Sequence, residues 1–133
     1  MYDFSWKGDF SEARNFSLSF ASGDWILVLD ADEVISSEDY AVLRKLVHKK
    51  EVKPVAYSFV TRNYVKEMTV TGWTANNGRY REETGSGWFP AEKVRLFPND
   101  KGIRFENPVH EFVEPSLKQA GIKVKHCIVP VHH

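Results

Sequence analysis

The sequence predicts an α/β fold in which a mixed sheet is flanked by helices. The first observation is the run 25–29 (Trp-Ile-Leu-Val-Leu), which lacks polar alternation and is typical of a strand buried on both faces. The second is that amphipathic helical patterns lie before and after this run. The third is a series of later extended segments separated by turn residues. Strands and helices that alternate in this way form an α/β domain.

The composition is that of an ordinary globular domain. A chain of 133 residues allows one domain with a substantial core, and 42% hydrophobic with 27% charged residues is a usual balance. The 18 basic and 18 acidic residues cancel, so no basic surface indicates a nucleic-acid partner. Cys127, the single cysteine, has no partner for an internal disulfide, which favours a reducing compartment. Neither an apolar run of membrane-spanning length nor a signal-peptide pattern is present, and we therefore expect a cytoplasmic protein.

The first predicted element is a helix that ends near residue 21. Asp9 or Ser11 is suited to cap it, and Glu12 lies in its first turn. Arg14 also lies early in this helix, where the helix dipole does not stabilise a cation. We therefore expect Arg14 to meet a carboxylate or a bound anion, with a solvated side chain as the alternative.

Three carboxylates follow the apolar run directly: Asp30, Asp32 and Glu33. In open α/β sheets, ligands bind beyond the carboxyl ends of the strands. Clustered carboxylates repel one another unless a cation lies among them. Mg²⁺ or Mn²⁺ prefers such oxygen ligands and usually keeps positions open for substrate phosphates. The cluster therefore predicts a divalent-metal site, whereas the plainer alternative is a turn or a helix N-cap.

Two other kinds of acidic motif begin in a similar way. A calcium-binding EF loop that started at Asp30 would need Asp or Asn, Gly and Glu at its fifth, sixth and twelfth positions. The chain has Val34, Ile35 and Ala41 there, so this hypothesis fails. The stretch also resembles the start of haloacid-dehalogenase-type phosphatases, in which Asp30 would be the nucleophile and Asp32 the acid/base. The later acidic pair that this family needs is missing downstream, so this hypothesis ranks second.

Periodicity and turn residues predict the remaining elements. A second helix begins near Ser36 and carries an apolar stripe through Tyr40, Leu43, Leu46 and Val47. The other predicted elements are extended segments over 55–65, 66–71, 93–97, 103–105 and 122–131, and a short helix over 116–120. Residues 72–91 are rich in glycine, aromatic and polar residues. We expect a long loop there that binds an acceptor or acts as a lid, with plain disorder as the alternative.

Residues in the last quarter of the sequence also carry candidate chemistry. His110 and Glu111 follow a proline turn and form a candidate acid/base position. The sequence ends in His132-His133, which are either native residues or the remnant of an expression tag.

Several of these segments together resemble bacterial family 2 glycosyltransferases. The matching segments are Phe4-x-Trp6-x-x-Asp9-Phe10-Ser11-x-Ala13-Arg14-Asn15, Gly23-Asp24-Trp25-Ile26-Leu27-x-Leu29-Asp30-Ala31-Asp32-Glu33, Val94-Arg95-Leu96-Phe97, Gly102-Ile103-Arg104-Phe105, Val109-His110-Glu111 and His132-His133. Each segment alone is weak, but the ordered combination is specific and spans nearly the whole chain. The resemblance implies a partial GT-A fold, which is the fold of nucleotide-diphospho-sugar transferases. It also implies a metal-dependent, inverting transfer of a sugar from a nucleotide-diphosphate donor to an acceptor hydroxyl.

The resemblance assigns metal-binding roles to individual residues. Asp30-Ala31-Asp32 would be the family's Asp-x-Asp motif for Mn²⁺ or Mg²⁺. Asp32 would be a direct ligand, and Asp30 would lie beside the ribose or the metal. His133, or less readily His132, would complete the metal ligands.

It also assigns residues to the donor and to the proton transfer. The residues that would line the nucleotide-sugar side are Arg14, Asn15, Asp30 and Ala31. Glu111, next to His110, would be the base that deprotonates the acceptor hydroxyl.

The resemblance departs from the family at the N-terminus. Family members begin with a strand–helix–strand unit that grips the nucleobase, and nothing like it precedes Met1. We therefore expect a single, N-terminally incomplete domain over 1–133, whose first strand has an unpaired edge that favours a homodimer. The expected partners are a nucleotide sugar and a glycan, lipid-linked or protein acceptor, with peripheral membrane association in the lipid-linked case. A non-catalytic binding or assembly module that retains the fold is the alternative from a different class.

Overall fold

The fold is described from a computed structural model, which covers residues 4–49, 53–66, 71–108 and 111–133. The helices are α1 (Phe10–Leu18), α2 (Tyr40–His48), which follows a 3₁₀ turn over Ser37–Asp39, and α3 (Glu114–Gln119). The strands are β1 (Trp25–Leu27), β2 (Val55–Val65), β3 (Thr74–Ala75), β4 (Gly87–Pro98) and β5 (Lys123–His132).

The strands form one mixed sheet in the order β1-β4-β2-β5, with β3 paired to β4. β4 runs antiparallel to β1 and to β2, whereas β2 and β5 run parallel. The long pair β2–β4 extends from Tyr57 opposite Leu96 to Val65 opposite Gly87 and forms the centre of the domain. The predicted mixed sheet is therefore confirmed.

A separate apolar cluster covers each face of this sheet. Successive strand residues point to opposite faces, so Ala56 belongs to one cluster and Tyr57 to the other. Leu117 of α3 is buried in the first cluster, and Leu18 of α1 packs against it. Leu43, Leu46 and Val47 of the predicted α2 stripe pack on the second cluster, whereas Tyr40 is 48% exposed. Helices therefore flank the sheet on both faces, as predicted.

The strand predicted over 25–29 is shorter and less buried than expected. β1 ends at Leu27, and the prediction that both of its faces are buried is wrong, because Leu27 is 41% and Leu29 36% exposed. β1 lies at the edge of the sheet, where only Ile26 of its three residues points fully into the core. A run of apolar residues cannot by itself distinguish an edge strand from a central one.

The other strand predictions have mixed outcomes. The strand predicted over 55–65 is confirmed, because β2 has the same bounds. The loop predicted over 72–91 is too long, since β4 already begins at Gly87. Residues 103–105 form no strand, and the pairing nearest to them is a single bridge between Glu106 and Phe112. The extended piece predicted over 66–71 lies largely outside the described residues.

The loop between β2 and β4 is held together by its own polar side chains, as far as the structure describes it. Asn76 donates to the carbonyl oxygens of Thr84 and Gly85 at 2.9 and 3.2 Å. Glu83 accepts from the backbone N–H groups of nearby residues, including Tyr80 at 2.6 Å. This part of the chain is therefore an ordered loop, not the disordered segment considered above. Among the helices of the described ranges, none is both long and apolar enough to cross a membrane.

Candidate active site

The acidic residues lie in a tight turn directly after β1. The N–H of Glu33 donates to the carbonyl oxygen of Asp30 at 3.0 Å, and the N–H of Asp30 donates to Glu33 Oε1 at 2.8 Å. The side chain and backbone of Glu33 thus close the same four-residue turn. The next residue, Val34, exchanges backbone hydrogen bonds with His132 of β5 at 2.9 and 2.7 Å. This bridge brings the C-terminal end of the chain beside the turn.

Glu33 is buried and forms an ion pair with Arg95 of β4. The Glu33 and Arg95 side chains are only 6% and 1% exposed, and Arg95 Nη1 donates to Glu33 Oε1 at 2.7 Å. Burial raises the pKa of Glu33, but the hydrogen bonds from Arg95 and from the Asp30 N–H outweigh it, and the pKa falls from 4.5 to about 2. Glu33 is therefore ionised at neutral pH, and its carboxylate is held by Arg95 and the Asp30 N–H.

Asp30 is held by two cations. Arg14 of α1 contacts Asp30 Oδ1, and Lys93 Nζ of β4 lies 3.8 Å from Asp30 Oδ2. Arg14 Nε also donates to Glu111 Oε1 at 3.3 Å, so a single guanidinium bridges the two carboxylates. Partial burial lowers the pKa of Arg14, but Asp30 and Glu111 raise it above its ordinary value. The expectation that Arg14 meets a carboxylate is confirmed.

Asp32 meets His133, the last residue of the sequence. His133 Nε2 lies 2.8 Å from Asp32 Oδ2, and His133 Nδ1 lies 2.7 Å from Asn63 Oδ1 of β2. Because the Asn63 oxygen is an acceptor, Nδ1 must carry the proton that it donates there. The other ring nitrogen, Nε2, then faces a carboxylate oxygen. Two acceptors at this distance need a proton or a metal cation beside them.

This donor set fits a divalent metal that shares its coordination with a substrate. A metal-binding histidine usually donates its second ring N–H to a neighbouring acceptor, as His133 does to Asn63. Within residues 4–49, 53–66, 71–108 and 111–133, no group of three or more His, Cys, Asp or Glu side chains converges as a complete metal cage. Asp32 and His133 would be two ligands of an open site, which suits Mg²⁺ or Mn²⁺ bound together with substrate phosphates.

The other predicted site residues take no part in the contacts of Asp30, Asp32 and Glu33 described above. Asn15 clamps the backbone of Phe105, donating to its oxygen at 3.0 Å and accepting from its N–H at 2.8 Å. Ala31 is an exposed residue of the acidic turn. His132 is 2% exposed and bonds through Nδ1 to the Tyr64 hydroxyl at 2.6 Å, so it belongs to the core. The predicted acid/base residue His110 lies outside the described residues.

The sequence pattern missed three residues that hold the site: Lys93, Arg95 and Asn63. Arg95 carried a usable signal, because it interrupts an apolar strand, and an Arg that is buried in such a place needs a partner. Lys93 and Asn63 carried none, because polar residues alternate with apolar ones on any half-buried strand. Only the pairing of β2, β4 and β5 places them next to the acidic turn.

The mixed sheet with helices on both faces is that of a partial GT-A-like α/β domain. Residues 1–109 match the family described as Glycosyl transferase family 2. The match covers more than half of the chain, and the chain therefore belongs to this family, as the resemblance indicated.

Similarity to curated proteins extends over most of the chain. A TPR repeat-containing protein of Synechococcus elongatus is 39% identical over 113 residues, which are 84% of this chain and 23% of that protein. The SPbeta prophage-derived glycosyltransferase SunS of Bacillus subtilis is 27% identical over 106 residues, which are 80% of this chain and 21% of that protein. The glycosyltransferase SunS of Bacillus phage SPbeta matches to the same extent. The chain thus spans less than a quarter of the length of these relatives.

Proposed function

We propose that this chain carries the metal-binding and catalytic side of an inverting glycosyltransferase. The reaction would move a sugar from a nucleotide-diphosphate donor to the hydroxyl of a glycan, lipid-linked or protein acceptor. The observation that carries the proposal is the acidic turn itself. In this member of the family, the turn after β1 places Asp32 beside His133 and Asp30 beside Arg14, and Arg14 also pairs with Glu111.

The acidic turn and His133 would form the diphosphate end of the donor site. A divalent cation held by Asp32 and His133 would stabilise the negative charge that develops on the departing diphosphate. Asn63 would keep the ring of His133 in the orientation and tautomer that leave Nε2 free to bind. Lys93, 46% exposed and on the open side of Asp30, adds a positive charge close to where phosphate oxygens would lie.

Glu111 would act as the base toward the acceptor. Its carboxylate would take the proton of the acceptor hydroxyl while that oxygen forms a bond to the anomeric carbon and the bond from this carbon to the diphosphate oxygen breaks. A single displacement of this kind inverts the configuration at the anomeric carbon. Arg14 would orient the Glu111 carboxylate and fix its distance from Asp30 through the bridge described above.

A titration of intrinsic tryptophan fluorescence tests the donor site, with Trp25 of β1 as the nearby reporter. UDP and GDP are added with and without Mn²⁺, and CMP serves as a control that lacks the diphosphate. We expect a nucleoside diphosphate to bind at least about tenfold more tightly with Mn²⁺ present, which corresponds to about 1.4 kcal/mol. Asp32→Asn should abolish this difference. Equal binding with and without Mn²⁺, or none in any condition, would contradict the proposal.

The control variant for this titration is His126→Gln. His126 pairs with Glu92 at 3.0 Å on an exposed part of the sheet and should leave the Mn²⁺ effect unchanged. A phosphatase mechanism on Asp30 is disfavoured by the two cations that occupy both of its oxygens. It would predict stable trapping of a phosphate analogue on Asp30, which the transferase proposal does not.

A further inference from the structure

Arg95 has the largest side chain among the fully buried residues of the described chain. Its guanidinium spans three elements. Nη1 donates to the Val28 carbonyl oxygen at 3.1 Å, just after β1, and Nη2 donates to Thr61 Oγ1 of β2 at 2.8 Å. Both terminal nitrogens also bond the Glu33 carboxylate. Arg95 thus ties the two central strands to the acidic turn.

The connection continues from Glu33 into the backbone of the metal motif. Glu33 Oε1, which accepts from Arg95, also accepts from the Asp30 N–H at 2.8 Å. Asp30 and Asp32 point outward from the same turn that Glu33 closes from inside. Any shift of the Glu33 carboxylate therefore moves the backbone that carries both aspartates.

We propose that Arg95 and Glu33 are positioning residues that fix the direction of Asp30 and Asp32, an inference that rests on the proposed function. Neither side chain can touch a donor, because both are almost fully buried. A buried ion pair is also a poor device for stability alone, since apolar replacements of similar volume are often neutral or stabilising. What the ion pair does contribute is a fixed geometry. The planar, two-point contact of Arg with a carboxylate sets orientation as well as distance.

The first test measures the turn itself, without any metal. Amide hydrogen exchange by NMR compares the Asp30 N–H, which reports the turn, with the core N–H of Phe59, which reports the overall stability of each variant. Glu33→Ala removes the acceptor, and we expect the Asp30/Phe59 exchange ratio to rise at least about tenfold. Glu33→Gln keeps one acceptor oxygen and should give an intermediate ratio. Glu92→Gln, on the same strand as Arg95 but exposed, should leave it unchanged.

The second test measures Mn²⁺ binding by electron paramagnetic resonance at a temperature where circular dichroism shows each variant to be folded. Removal of residues that orient metal ligands typically weakens metal binding about 10–100-fold, and we expect this for Glu33→Gln and Arg95→Lys. Since both act through the same contact, the double variant should be no weaker than the weaker single variant. Arg95→Lys keeps the positive charge but loses the geometry of the guanidinium, both the two-point contact with Glu33 and the bonds to Val28 and Thr61, so it separates orientation from electrostatics.

The outcomes separate this inference from the proposed function. An unchanged Asp30/Phe59 ratio in Glu33→Ala, or wild-type Mn²⁺ affinity in folded Arg95→Lys, would overturn the positioning role. Absence of Mn²⁺ binding by the wild-type chain, with and without UDP, would count against the proposed function instead. The exchange ratio would then still decide whether Glu33 and Arg95 hold the turn.

Discussion

His133 Nε2 lies 2.8 Å from Asp32 Oδ2, although the two residues are 101 positions apart in the sequence. Two features of the fold create this contact. β5 runs parallel to β2 and ends at His132, and the bridge between Val34 and His132 ties this end to the acidic turn. The contact joins the two donor atoms that a shared metal would need. Because Asn63 contacts the other nitrogen of the His133 ring, the orientation of this ring can be changed without altering either donor atom.

Asn63 provides the means to change that orientation. Asn63→Leu removes the oxygen that fixes the His133 ring, so we expect Mn²⁺ affinity to fall about 10–100-fold. Isothermal titration of Mn²⁺ into the folded variant measures this. Asn63→Asp is the matched control, because it keeps an acceptor for Nδ1–H and should retain most of the affinity. If both variants bind Mn²⁺ like the wild type, Asn63 does not position a metal ligand.

Arg14 should stabilise the fold as well as the site. Arg14→Met leaves the partly buried carboxylates of Asp30 and Glu111 without the cation that bridges them. Hydrogen bonds to charged groups contribute about 1.5–3 kcal/mol, and we expect the free energy of unfolding in urea to fall by about this amount. Lys7→Met, which removes the exposed pair with Glu12, is the control and should change it by less than about 0.5 kcal/mol. Equal effects would show that the Arg14 bridge adds no stability.

The sequence predicts local elements well and partners poorly. β2 was predicted to the residue because alternation within 55–65 is a local property of the chain. The exposure of β1 was not, because it depends on pairing with β4, which lies more than sixty residues later in the chain. The unpaired edge of this strand was expected only from the family resemblance. The same limit applies to Lys93 and Asn63, which reach the site only through strand pairing.

The contacts of the candidate site also divide into those that the local sequence predicts and those that it does not. The acidic turn and the salt bridge of Arg14 follow from residue type and position in the helix. The contact of His133 with Asp32 came from resemblance to a family, since no spacing rule links residues so far apart. Asn15 bonds the backbone of Phe105 through both its amide oxygen and its amide nitrogen, a contact that the sequence does not predict, and its expected place on the donor side stays a prediction.

Glu83 should make the loop between β2 and β4 sensitive to acid. Its carboxylate accepts from the N–H groups of Asn77, Gly78 and Tyr80 at 3.1, 3.2 and 2.6 Å. The bond from Tyr80 is the main reason that the pKa of Glu83 lies below its ordinary 4.5, and burial opposes it. A carboxyl with a lowered pKa in the folded state contributes stability above its unfolded pKa, and this contribution is lost as the pH falls through the folded pKa.

The measurement is the exchange protection of these three amides between pH 6 and pH 3. We expect protection to fall on acidification in the wild type and to be low at every pH in Glu83→Ala. Glu82→Gln is the control, since Glu82 accepts none of these three bonds in the described loop. Protection that is independent of pH in the wild type would show that the Glu83 carboxylate does not hold the loop.

Gly85 should be far less replaceable than Gly78, although both lie in this loop with a positive φ, of 63° and 76°. At Gly78 a Cβ would meet no atom within 4 Å, whereas at Gly85 it would overlap with the carbonyl group of Val65 at the end of β2. That carbonyl oxygen accepts from the Ser86 N–H at 2.9 Å, so the two strands cannot separate to make room without losing this bond.

Gly78→Ala should cost about 1–2 kcal/mol, the penalty of a left-handed alanine alone. Gly85→Ala should cost at least about 1 kcal/mol more because of the added clash. Urea unfolding gives the loss in free energy of unfolding for each variant, and the backbone penalty that both share cancels in the difference between the two losses. Equal losses would mean that the loop can move away from the end of β2 without cost.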